Sequence, residues 1–437
     1  MQVSVETTTG LERRLTVEVP AERVESEIKN RLMSLSRTVK MPGFRPGKVP
    51  MKVLTTQYGS KVRQEVLAEV TQSSFYEAIV QEKLTPASKP RFESSPGGPG
   101  QDLAYTATFE VYPSIELAPL ESLEVQKPSA EISEKDVDEM MQTMRKQRVE
   151  WQDVEREAKD EDRLMIDYRG TIDNQVFSGG EGKDTPVVLG SKTFIAGFEA
   201  QLVGLKAGDE KTISVTFPDD YHAKELAGKE AQFEVKVNNV SEALLPGIDD
   251  EFAKSFGVAD GDLNKLKEEV QKSMQHEMDQ AIKDNVKRQV LDGLYQANTV
   301  ELPNAMLEDE INQMMDQSAA NLRNQGITID AADMDKSRFE EKAKRRASLG
   351  LIVADIIKAN GLKADPVKVR AAVETIAAGY DDPEEVVKWY YGDRNRISNV
   401  ESVVLEDQVV EWVLEKANVT INQTSFEEVM KERRAVQ

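Results

Sequence analysis

Between Lys40 and Pro50 the chain reads Lys40-Met41-Pro42-Gly43-Phe44-Arg45-Pro46-Gly47-Lys48-Val49-Pro50. Proline lacks the backbone N–H that a helix needs and glycine loses the most backbone entropy on folding, so this stretch cannot continue a helix on either side. It is expected to be a loop at the tip of two helices. Phe44, between glycines and beside Arg45 and Lys48, is placed to insert into a partner while a guanidinium and an ammonium grip phosphates or carboxylates. The same residues also allow a plainer arrangement, with Phe44 tucked under its own loop and the charges solvated. A phosphate-binding P-loop requires G-x-x-x-x-G-K followed by Ser or Thr. Here only three residues separate Gly43 from Gly47, and Val49 stands where the magnesium-binding hydroxyl would be, so no nucleotide is assigned.

Other chemistry is narrowed by composition. The 437 residues include no cysteine and two histidines, which excludes disulfides, thiolate zinc sites and thiol nucleophiles. No cofactor and no metal are expected. The start, Met1-Gln2-Val3-Ser4-Val5-Glu6, lacks the basic, apolar and small-residue regions of a signal peptide, and the apolar run Leu349 to Ile357 is about half the length that a bilayer requires, so the chain reads as cytoplasmic with no membrane segment. Net charge is −22 but unevenly spread: +2 over residues 1–112, −9 over 150–243 and −12 over 244–437. Residues 28–64 carry nine basic side chains and no acidic one. A polyanionic partner therefore has one place to bind.

The elements that must position these residues follow from periodicity. Alternation at Val3 and Val5, then Leu15, Val17 and Val19, predicts two strands joined at Thr9-Gly10. Helical spacing follows at Val24, Ile28, Leu32, Leu35 and Val39, and again from Val62 to Ile79. Leu103, Tyr105, Ala107, Phe109 and Val111 predict a returning strand. Residues 1–112 thus read as an α+β domain. Residues 113–149 read as a linker ending in a helix N-capped by Ser133. Period-2 patterns and frequent glycines make 150–243 a β-rich domain. Residues 244–437 read as all-α, with helices near 262–297, 303–324, 337–360, 366–379 and 394–417, broken at Pro303, Gly326, Gly361, Pro366 and Pro383. The fold class is multidomain α+β.

The motif G-F-R-P-G-K-V-P between two helices of a small α+β domain resembles the ribosome-docking signature of the trigger factor family of bacterial chaperones, and the domain order matches along essentially the whole chain. That resemblance implies that Phe44, Arg45 and Lys48 contact the large ribosomal subunit, both protein and RNA at the tunnel exit, with Pro46 standing where some members carry a basic residue. It also implies a C-terminal body with two arms that cradles nascent and unfolded polypeptides, and leaves room for a homodimer off the ribosome. In the β-rich domain, Ile166-Asp167-Tyr168-Arg169-Gly170, Val176-Phe177-Ser178-Gly179-Gly180, Phe194-Ile195-Ala196-Gly197-Phe198-Glu199 and Phe217-Pro218-Asp219-Asp220-Tyr221, followed by Phe233-Glu234-Val235, are similar to the FK506-binding-protein family of prolyl isomerases. The resemblance implies a proline pocket lined by Tyr168, Phe177, Ile195, Phe198, Tyr221 and Phe233, with Ser178 where many members have an acidic residue. From residue chemistry alone, the same aromatics also suit a plain barrel core.

Rotation about an X–Pro bond needs neither nucleophile nor general acid, which suits a chain so poor in both. His222 reads as a loop residue and His276 as lying on a polar helix face. Met274, Met278, Met306, Met314, Met315 and Met334 are either adaptable contacts for apolar clients or ordinary core. The function expected is an ATP-independent, ribosome-associated chaperone with an embedded peptidyl-prolyl cis–trans isomerase. Two alternatives stand beside it: a plain isomerase whose flanking domains recruit targets, and an RNA-binding ribosome assembly factor.

Overall fold

A computed structural model describes the chain at every position except 40, 41, 43, 45–48, 96, 97, 99, 173, 174, 220, 222, 328 and 437, and describes no side chain at 94, 95, 178 and 436. Two compact units emerge, residues 1–127 with 283–422, and residues 128–282 with 423–437.

The chain opens with β1 (Gln2–Thr7), β2 (Glu12–Val19), α1 (Ala21–Thr38), α2 (Met51–Gln81), β3 (Arg91–Ser95) and β4 (Leu103–Glu110). The strands form one antiparallel sheet in the order β1-β2-β4-β3. Because successive strand residues point to opposite faces, Leu15, Val17 and Val19 of β2 lie on the same side as Leu103, Tyr105, Ala107 and Phe109 of β4. They pack against Val24, Ile28 and Leu32 of α1 and Val62, Val66, Val70 and Phe75 of α2. The Tyr105 hydroxyl, buried in this core, meets the Ser74 hydroxyl at 2.9 Å, so neither is left unsatisfied. The helices break where the prolines require it: α1 stops at Thr38, and α2 starts at Met51 behind Pro50. α2 begins well before Val62, where the apolar period first marks it, because its opening turns bury little besides Leu54.

Next come β5 (Glu124–Ser129) and α3 (Glu134–Gln147). Ser133 caps α3 in a reciprocal box: Asp136 N donates to Ser133 Oγ at 3.3 Å and Ser133 N donates to Asp136 Oδ2 at 2.8 Å. The β-rich part holds β6 (Glu150–Asp153), β7 (Arg163–Ile172), β8 (Gln175–Val188), the short helix α4 (Phe198–Leu202), β9 (Glu210–Thr216) and β10 (Glu230–Leu244). The five strands form an antiparallel sheet organised by the long β10, which pairs with β6, β7 and β9, while β7 also pairs with β8. Its buried face carries Leu164, Ile166, Val187, Ile213, Val215, Val235 and Val237, and Phe198 and Leu202 of α4 join the same core.

The remainder is helical: α5 (Asp250–Ser255), α6 (Leu263–Ala297), α7 (Asn304–Asn324), α8 (Ser337–Asn360), α9 (Pro366–Ala377), α10 (Pro383–Tyr391), α11 (Arg394–Leu414), then β11 (Asn418–Gln423) and α12 (Phe426–Val436). Pro303 stands at the N-cap of α7, Pro366 and Pro383 open α9 and α10, and Gly361 closes α8 in a left-handed conformation with φ 63°. The stretch read as all-α therefore contains one strand. β11 pairs with β5 from the stretch read as a linker. Its six residues are all exposed, so it carries no alternating pattern to read.

Candidate functional site

Phe233 on β10 sits opposite Gly170 on β7 in the sheet register. A Cβ at Gly170 would stand 2.5 Å from Phe233 Cε1 and 2.9 Å from the Phe177 ring, so glycine is what lets both rings close over the strand. Around Phe233 the rings of Phe198, Phe177 and Tyr168 have centroids at 5.3, 5.9 and 6.1 Å, the first two edge to face. Phe177 meets Phe217 at 5.7 Å, and Phe217 meets Tyr221 at 4.7 Å. On the other side Phe194 stacks on Phe198 at 5.1 Å. Such edge-to-face and stacked pairs add about 0.5–1.5 kcal/mol each beyond the area they bury.

Of the six residues expected to line a proline pocket, Tyr168, Phe177, Phe198 and Phe233 touch directly, Tyr221 joins through Phe217, and Ile195 packs against the same core. Phe198 and Phe233 are buried, whereas Tyr168, Phe177, Ile195 and Tyr221 are half-buried. The set is thus an apolar floor with partly open walls. Phe217 and Phe194 complete it and were not singled out from the sequence. The signal available was their place in the Phe217–Tyr221 and Phe194–Glu199 segments. The Ser178 side chain and His222 lie outside the described residues.

The segment that carries Phe194 and Ile195 is held by Glu199, a carboxylate only 8% exposed. Its Oε1 accepts from Thr193 N at 2.9 Å, Phe194 N at 3.1 Å and Ser191 Oγ at 3.1 Å, and its Oε2 accepts from Lys192 N at 3.0 Å. Burial pushes this carboxyl up, but the amides of Phe194, Lys192 and Thr193 and the Ser191 hydroxyl together outweigh burial and hold it below the usual glutamate range. Asp162 at the start of the same sheet behaves alike. Burial raises it, and a two-pronged contact from Arg156 at 2.5 and 2.9 Å, with the Lys159 amide at 2.7 Å, brings it below the usual aspartate range.

An open depression of about 800 Å³ is lined by Asp167, Arg169, Glu181, Lys183, Glu210, Lys211, Glu234 and Lys236, and shares only Tyr168 with the aromatic set. Its charges answer one another, Arg169 with Glu181 at 3.1 Å and Lys236 with Glu210 at 3.3 Å, as expected of a solvated sheet face. The apolar set is the better candidate for a site. Among the described residues no cluster of three or more His, Asp or Glu is arranged to hold a metal ion.

In the loop between α1 and α2, Phe44 is 40% exposed while Val49 is buried in the core below. Gly43, Arg45, Pro46 and Lys48 lie outside the described residues. On the flanking helices Arg23, Arg31 and Arg63 are paired with Glu77, Glu69 and Glu25. Lys29, Arg37, Lys52 and Lys61 are exposed and form no ion pair among the described residues. Met274, Met278, Met306, Met314, Met315 and Met334 are all buried or half-buried, which favours core packing for them. From the end of α7 through α11 the large apolar side chains left exposed are others: Ile327, Ile329, Val367, Ile376, Tyr380, Trp389, Tyr391 and Val403. His276 lies exposed on α6, and no described helix is long and apolar enough to cross a membrane.

An aromatic-floored site on a five-stranded antiparallel sheet defines a class, and residues 154–238 match the family profile described as FKBP-type peptidyl-prolyl cis-trans isomerase. Residues 1–144 match bacterial trigger factor protein and residues 262–415 its C-terminus. The trigger factor of Azotobacter vinelandii is 50% identical over 437 residues, covering 100% of both chains, and that of Pseudomonas aeruginosa is 47% identical with the same coverage. A solved trigger factor chaperone, described by its promiscuous substrate recognition in folding and assembly, shares the fold at a TM-score of 0.51 and 18% identity, with 95% of this chain and 100% of that one covered. The chain belongs to the trigger factor family. It is a chaperone that carries an FKBP-type peptidyl-prolyl isomerase.

Proposed function

We propose that Tyr168, Phe177, Ile195, Phe198, Tyr221 and Phe233 form the proline pocket of this isomerase. The observation that carries the reading is the convergence of rings on Phe233, with buried floor and half-open walls. Amide planarity rests on a charge-separated resonance form, and the barrier to rotation is about 18–20 kcal/mol. An apolar wall desolvates the amide and disfavours that form, so rotation is eased without proton transfer or a covalent intermediate. Left alone, the step takes on the order of 10–100 s, long enough to stall a folding chain.

The loop that carries Phe44, Arg45 and Lys48 is the docking element toward the large ribosomal subunit, with protein and RNA beside the tunnel exit as its targets. Exposed Phe44 above anchored Val49 supports this, as do the cations on α1 and α2 that form no ion pair among the described residues. The helical part shields nascent and unfolded chains as two arms, a role supported by the exposed apolar side chains from Ile327 to Val403. The same side chains support a homodimer off the ribosome. Working boundaries are 1–112 for docking, 113–149 for the linker, 150–243 for the isomerase and 244–437 for the chaperone body, in a cytoplasmic protein.

One crossed experiment tests both sites. Phe44→Ala/Arg45→Ala/Lys48→Ala should abolish co-sedimentation with ribosomes and leave isomerisation of a short proline peptide intact. Tyr221→Ala should do the reverse, lowering kcat/KM about tenfold, as loss of one wall of an apolar pocket implies. Equal pelleting of the triple variant would overturn the docking claim, and unchanged peptide turnover in Tyr221→Ala would overturn the pocket.

A further inference from the structure

Glu199 is an unusual residue to find beside an apolar site. It is 8% exposed, no cation is within ion-pair distance of it among the described residues, and its two oxygens accept four hydrogen bonds from Ser191, Lys192, Thr193 and Phe194. A buried carboxylate without a counter-ion persists only where donors replace its lost hydration. Here all the donors belong to one short segment, 191–194. That segment is bent tightly enough for Lys192, a non-glycine residue, to adopt φ 59°. It leads directly into Phe194, stacked on Phe198, and Ile195, whose carbonyl accepts from Phe198 N at 2.9 Å. A second brace fixes the other end of α4, where Gln201 Nε2 donates to Gly197 O and to Ser214 O, both at 2.9 Å. The short helix is thereby tied to β9 on one side and to the pocket wall on the other.

We infer that Glu199 is a positioning residue of the isomerase, whose ionised carboxylate gathers the amides of residues 192–194 and so sets the Phe194–Ile195 wall against the Phe198 and Phe233 floor. It does not touch the substrate. It acts by fixing where the wall stands, and a wall displaced by about 1 Å can cost a large part of the rate. This inference rests on the pocket reading above.

The test uses the full-length chain, a proline tetrapeptide, and hydrogen–deuterium exchange read by peptide fragments. Glu199→Ala removes the acceptor shared by the Lys192, Thr193 and Phe194 amides and the Ser191 hydroxyl, leaving Thr193 N and Ser191 Oγ only their contacts with Ser191 Oγ and Thr193 Oγ1. It is expected to accelerate exchange at 191–197 while β7 and β10 keep their protection, and to lower kcat/KM about tenfold, chiefly through KM. Glu199→Gln keeps a carbonyl acceptor and is expected to fall between the two in both readouts. Exchange that rises across β7 and β10 as well would make Glu199 a general stabiliser and overturn the inference. So would unchanged kcat/KM, or a loss of activity without local loss of protection. Tyr221→Ala is the control for the underlying reading. If it lowers turnover while the Glu199 variants do not, the positioning role alone fails; if Tyr221→Ala is silent, the pocket and the inference fail together.

Discussion

Two acids with unlike surroundings hold the isomerase sheet. Glu199 faces backbone amides, whereas Asp162 faces the Arg156 guanidinium, which is itself shared with Glu242 at 3.0 Å. In both, burial opposes ionisation and hydrogen bonding overcomes it, so both titrate below their ordinary ranges. The sign of the consequence follows. A carboxyl depressed in the folded state contributes stability that is complete above its unfolded pKa, about 4, and that disappears as pH falls through the folded value. The thermal midpoint of the isomerase domain is therefore expected to stay level from about pH 5.5 to 7 and to drop below about pH 4. Asp162→Asn should have a lower midpoint at neutral pH and a shallower acid limb, because that group no longer titrates. Parallel acid limbs in the wild type and the variant, followed by differential scanning calorimetry, would remove Asp162 from this account.

At the scale of elements, a single missing Cβ organises the site. Gly170 lies on β7 beneath both Phe233 and Phe177, and alanine there would place carbon 2.5 Å from one ring and 2.9 Å from the other. Overpacking of this kind costs about 1–3 kcal/mol, and the rings that must yield belong to the proposed proline pocket. Gly170→Ala should lower both the melting midpoint of the domain and peptide isomerisation, with ribosome pelleting unchanged; full activity at the native midpoint would show that the rings shift freely. How much of this was legible in the sequence depended on local signal. Ser133 as a cap, the prolines that open α7 and α9, and the alternation of β2 and β4 each rest on neighbours in the chain, and each could be read. The pairing of β11 with β5 joins residues near 420 to residues near 125, and β11 offers no buried face, so nothing local announced it. α10 went unread for a similar reason, since none of its nine residues is buried. The aromatic set proposed as the pocket was named through family resemblance. The role of Glu199 was not, because four donors converge on it only once the segment before α4 has turned.

For the whole molecule, the governing fact is a charge of −22 with a basic stretch confined to residues 28–64. Most of the surface is repelled by a polyanion, so binding to the ribosome has to combine one favourable electrostatic face with contacts that are not electrostatic. In the docking reading proposed above, Phe44 supplies the second kind, being 40% exposed at a loop whose far end is anchored by Val49. In the same reading Lys29, Arg37, Lys52 and Lys61 supply the first, with no ion pair among the described residues to neutralise them. These two kinds of interaction respond differently to salt. Each phosphate neutralised releases counterions and adds about 0.7–0.9 to the slope of log affinity against log salt, whereas apolar burial leaves that slope unchanged. Phe44→Ala is thus expected to lower ribosome affinity by a similar factor at every salt concentration, giving a parallel line. Lys52→Gln/Lys61→Gln should instead flatten the line, by about one unit for each phosphate that is no longer neutralised, and converge with the wild type at high salt, where the screening length falls to about 3 Å. Fluorescence titration of labelled protein against purified ribosomes over a salt series separates the cases. Parallel lines for the lysine variant would mean that α2 faces no RNA, and a flattened line for Phe44→Ala would mean that the phenylalanine acts by orienting the cations and not by its own burial.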